Sequence, residues 1–60
     1  MLWIVQSSIM QLGERVDRHV TIPAPTAPEA ANVVRKTMGG KVSTVGYTIG
    51  GMVHYFPQAT

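Results

Sequence analysis

Apolar and polar residues alternate over residues 15–22, with one exception at Arg18. Val16, Val20 and Ile22 share one parity, while Asp17, His19 and Thr21 take the other. A period of two is the signature of a strand with one face in water. Arg18 falls on the apolar parity. It either snorkels to water at a strand end or points inward toward a ligand or a partner carboxylate. Residues 2–12 form an earlier strand, with Trp3, Ile4 and Val5 as strong strand formers. Here both parities are apolar, Leu2/Ile4 on one and Trp3/Val5 on the other, as in a strand covered on both faces. Ser7-Ser8 reads as a bulge or a break. Leu12-Gly13-Glu14 reads as the turn between the two strands.

The period then changes. Ala27, Ala30, Ala31, Val34 and Met38 recur at helical spacing. Thr26 and Glu29 make a capping box, and Pro28 falls in the first turn, where its missing N–H costs nothing. Arg35 and Lys36 close the last turn, and Gly39-Gly40 supplies a left-handed stop. Three alanines let this helix lie close to a sheet. The segment Ile22-Pro23-Ala24-Pro25-Thr26 is a stiff, extended lead into it.

Residues 41–56 predict a second hairpin. Gly50-Gly51 is a two-residue type I′ turn signal. It pairs Ile49 with Met52, Tyr47 with His54 and Val45 with Phe56 on one face, and Thr48 with Val53 and Gly46 with Tyr55 on the other. Pro57 ends the pairing. The whole reads as one α+β domain over residues 1–60, ββαββ, an antiparallel sheet in the order 2-1-3-4 with one helix on one face. The face of Val45, Tyr47 and Ile49 is expected to meet the helix. That leaves Trp3, Val5, Val53 and Tyr55 for the uncovered face, where they are the expected interface residues.

Composition sharpens this picture. Charged residues are 13% of the sequence and hydrophobic residues 45%, against about 25% charged in ordinary domains. So few charges leave apolar surface on a 60-residue chain, which favours a homodimer or higher closed oligomer. The net charge of +2 falls well short of a nucleic-acid signature. No apolar run is long enough for a membrane span, and no charged stretch precedes a secretory core. The expected location is cytoplasmic. There are no cysteines to form a disulfide or a thiolate site.

Candidate chemistry is sparse. His19 and His54 have only Glu14, Asp17 and Glu29 as co-ligands, at no metal-site spacing, so neither metal nor cofactor is expected. Ser7 and Ser8 lack a nucleophile-elbow context, which argues against an enzyme. The similar segments Thr37-Met38-Gly39-Gly40 and Thr48-Ile49-Gly50-Gly51 resemble anion nests, yet a helix end and a hairpin turn account for them. Arg15, Arg18, His19, Lys41, Tyr47 and His54 remain as candidate ligand-binding residues, with charge and stacking suited to a nucleotide.

The layout adds one more clue. The start Leu-Trp-Ile-Val-Gln-Ser-Ser, then Val-Thr-Ile-Pro-Ala-Pro-Thr-Ala-Pro-Glu-Ala-Ala into one helix, then Gly-Lys-Val-Ser-Thr-Val, resembles the small accessory proteins of tailed bacteriophages. The resemblance covers most of the chain. It implies a protein of the host cytoplasm that blocks a host protein or sequesters a nucleotide signal of host defence. Three readings follow: a non-enzymatic, homo-oligomeric binding protein for a host protein or small anionic ligand, a weak nucleic-acid binder, or a structural part of a larger particle.

Overall fold

The computed structural model describes residues 1–57. Four strands and one helix follow in the order β1 (Leu2–Gln11), β2 (Glu14–Pro23), α1 (Ala27–Thr37), β3 (Lys41–Ile49) and β4 (Met52–Tyr55). The sheet is antiparallel throughout, ordered β2-β1-β3-β4. This is the expected ββαββ architecture. The helix carries the chain from the β2 edge back across the sheet, so β3 can lie against the free side of β1.

The helix forms where its local signals put it. Thr26 is extended at φ −136°, and its side-chain oxygen accepts from Glu29 N–H. Pro28 costs no internal bond in the first turn. At the other end Met38 N–H and Gly39 N–H both reach Val34 O, at 2.7 and 3.3 Å. Gly39 and Gly40 then take φ of 74° and 78°, which stops the helix. The buried stripe is Ala30, Ala31 and Val34. With Val5, Ala30 and Val34 make the closed core, ringed by Trp3, Val20, Ile22, Ala24, Met38 and Val42. Thr44 Oγ1 donates to Ala27 O at 3.0 Å, and Ser7 Oγ donates to Gly39 O at 2.8 Å. One hydroxyl therefore secures each end of the helix to the sheet.

Several strand expectations are corrected. Trp3 and Val5 do not lie on the uncovered face. Val5 is 0% exposed beneath the helix, and Trp3 packs beside it with its indole N–H donating to Ala24 O at 2.9 Å. A strand apolar on both parities leaves its face to be decided by the rest of the fold. The indole needs a buried acceptor, and the Pro-rich lead into the helix supplies one. Ile4, on the other parity, is still only 7% exposed. Ser7-Ser8 is neither bulge nor break, since both keep regular partners on β2 and β3. The irregularity is in β3 instead. Ile4 pairs with Gly46 but Val5 with Thr44, so Val45 is an extra residue. Tyr47 and Ile49 share the helix-side face with Val42 and Thr44, and Val45 drops out of that row.

The β3–β4 register is the expected one, Gly46 to Tyr55 through Ile49 to Met52. Gly50 and Gly51 have φ of 57° and 81°, as a type I′ turn requires. The first hairpin uses the same geometry with less suitable residues. Leu12 has φ 52° and is 99% exposed. A leucine in that region is strained by about 1 kcal/mol and buries nothing in return. Leu12→Asn creates the favoured Asn-Gly pair and should raise the thermal midpoint by about 4–8 °C. An unchanged or lower midpoint would rule out that source of strain.

Candidate functional site

Two regions hold what the core does not use. The first is a cleft of about 970 Å³ where the two hairpins part. β1 finds its last β3 partner at Ser8, opposite Lys41, while its pairing with β2 runs on to Gln11. The β1–β2 hairpin therefore overhangs the start of β3. Arg15 from β2, Lys41 from β3 and Arg35 from the helix line the resulting cleft. No Asp or Glu is among its lining residues. Asp17 stands beside it, accepting from Ser8 Oγ at 2.7 Å and from Arg15 Nε at 3.0 Å. The Ser8 hydrogen bond, and then Arg15, hold this carboxyl below its ordinary value. Asp17 thus stays ionised at neutral pH, and its ion pair is lost only as the pH falls through that lowered value. Arg35 gives one guanidinium nitrogen to Asn32 Oδ1 at 2.6 Å.

The second region is the outer end of the β3–β4 hairpin. The helix packs on β1, β2 and β3 but makes no contact with β4. On the helix side, Tyr47 stacks on His54 with centroids 5.0 Å apart and planes 18° apart. Phe56 joins Tyr47 at 5.8 Å and Trp3 at 6.4 Å. Beyond them Ile49 and Met52 are exposed. On the opposite side Val53 and Tyr55 are 52% and 68% exposed. Gly46 is buried beside Tyr55, because a Cβ there would lie 3.0 Å from Tyr55 Cα and nearer still to the His54 carbonyl oxygen. No Asp, Glu, Lys or Arg follows Lys41 in the sequence.

The six candidate ligand residues therefore separate into different places. Arg15 and Lys41 both line the cleft. Arg18 sits opposite Ser7 on the outer strand, exposed. His19, opposite Gln6 on the other face, lines a smaller pocket of about 300 Å³ with Gln6, Tyr55 and Pro57. Tyr47 and His54 form the stacked pair. Arg35 is the residue that sequence reasoning missed. Its place in the last helical turn marked it as a partner of the helix dipole. Only the overhang of the first hairpin turns it into a cleft wall. Among the described residues no group of three His, Cys, Asp or Glu stands close enough to hold a metal. No helix among them is long and apolar enough to cross a membrane. No family model, curated protein or solved structure matches the chain.

Proposed function

We propose that this is a small, non-catalytic binding protein of the cytoplasm that works as a homo-oligomer, its copies meeting on the β3–β4 hairpin. The observation that carries the reading is the uncovered hairpin. Its outer end, from Tyr47 to Tyr55, is apolar on both sides and carries no Asp, Glu, Lys or Arg, and its strand β4 makes no contact with the helix. A neutral apolar surface favours a partner of the same kind, and a second copy meets it without like-charge repulsion across a two-fold axis. The closed core supports the same conclusion, since Val5, Ala30 and Val34 are a small interior for the chain. Val53 and Tyr55 are the contact residues in this reading. The resemblance in layout to small phage accessory proteins favours a binding role over catalysis. So does the scarcity of carboxylates, three in the chain, of which Asp17 is held by Ser8 and Arg15.

Light scattering coupled to size exclusion at low micromolar concentration should give a mass at least twice 6.5 kDa. Val53→Lys combined with Tyr55→Lys should reduce it to a folded monomer, with unchanged circular dichroism. A wild-type monomer would overturn the oligomer. An oligomer that survives both lysines would overturn the hairpin contact.

A further inference from the structure

The geometry points to the cleft between the hairpins as a binding site for a small phosphate-bearing molecule with an apolar group attached, the chemistry of a nucleotide. This site does not depend on self-association. Three of the chain's five Lys and Arg residues line it: Arg15, Arg35 and Lys41. They come from β2, α1 and β3, so the fold, not a local run of basic residues, brings them together. Counting Asp17 against Arg15, the cleft and its rim carry a net charge of +2. A phosphate monoester or a diphosphate is the matching anion.

The backbone adds a donor. Gln11 and Glu14 flank the two-residue turn and form the hydrogen-bonded pair that closes it. By alternation, the N–H of Met10 points away from β2. That is the side where β3 has not yet begun, so it faces the cleft that Met10 lines. An unpaired N–H beside a guanidinium suits a phosphate oxygen.

The helix C-terminus also borders this cleft, and its dipole opposes an anion. Part of that end is already satisfied, since Val34 O accepts from Met38 and Gly39 N–H and Val33 O from the Thr37 hydroxyl at 2.8 Å. A residual half charge at the helix end is smaller than the +2 of the side chains.

Size and lining argue for more than a bare anion. About 970 Å³ stands at the upper end for small-molecule sites. Ile9 and Val42, both on the helix-side face of the sheet, give one part of the wall an apolar surface. A base or similar group would lie there while the phosphates meet the cations.

Titration calorimetry with ATP, inorganic pyrophosphate, orthophosphate, adenosine and a short oligothymidylate tests this. ATP should bind best, pyrophosphate more weakly, and adenosine not measurably. Arg35→Gln and Lys41→Gln should each weaken ATP about tenfold. Arg18→Gln with Lys36→Gln, the two cations outside the cleft, should leave it within about twofold. Pyrophosphate binding as tightly as ATP would overturn the apolar subsite. Adenosine binding like ATP would overturn the role of the cations. Equal losses in the Arg18/Lys36 control would reduce the effect to net charge. Tighter oligothymidylate binding with a steep salt dependence would make the surface a nucleic-acid one. No binding of any phosphate at millimolar concentration would end the proposal. Light scattering on the same samples separates the two readings. Ligand loss with the oligomer intact sinks only this site, and a monomer that binds ATP sinks only self-association.

Discussion

Gly40→Ala should lower the thermal midpoint by more than 10 °C, on the order of 2–5 kcal/mol. Two independent effects add at this position. Gly40 has φ 78°, where a side chain costs about 1–2 kcal/mol. In addition, a Cβ would stand 2.5 Å from Ser8 O and 2.7 Å from Ile9 Cγ2. Ser8 O is backbone of the central strand, held between β2 and β3, and cannot step aside. Overpacking of this kind costs about 1–3 kcal/mol. The neighbouring Gly39 separates the two effects. It has φ 74° but nothing within 4 Å of its Cβ position. Gly39→Ala should therefore show only the backbone cost, and equal losses at both positions would refute the contact at Gly40.

Ala30→Leu should be the other severe change. Ala30 is 0% exposed and lies against Val5 and Val34. Leucine is nearly as good a helix former as alanine, so the effect isolates packing. The added carbons have no cavity to enter. The helix must lift from the sheet, which strains the Thr44–Ala27 and Ser7–Gly39 hydrogen bonds at its two ends. A loss of about 1–3 kcal/mol is expected in urea unfolding. Asn32→Leu on the exposed side of the same helix should cost well under 1 kcal/mol. If Ala30→Leu is equally mild, the helix does not sit as close as its alanines imply.

What was legible in the sequence follows from the range of each signal. The helix cap, its glycine stop and the Gly50-Gly51 turn are written in residues a few positions apart. They set the helix bounds and the register of β3 on β4. Short connections and one helix then leave few ways to order four strands. The face of β1 was not legible, because Leu2/Ile4 and Trp3/Val5 are both apolar and parity cannot rank them. What decides it is distant in sequence, the Ala24 carbonyl that receives the Trp3 indole. The bulge at Val45 has no local marker either, and it detached Val45 from Tyr47 and Ile49. The cleft depends on where β3 starts relative to the end of β1, a register between segments 33 residues apart at the Ser8–Lys41 pair. For that reason two of its cations were singled out from the sequence and Arg35 was not.

The central position of β1 also bears on how the chain meets a ribosome. The first strand made is the one that needs neighbours on both edges. Its hairpin partner follows within a few residues, but its second neighbour, β3, emerges only after the whole helix. Until then the nascent chain displays an apolar strand with one row of backbone groups bare. The stiff Pro23–Pro25 stretch and the self-capped helix shorten that interval by limiting where β3 can land. Slowing translation just before Lys41 should therefore increase aggregation of the nascent product far more than the same pause placed after Tyr55.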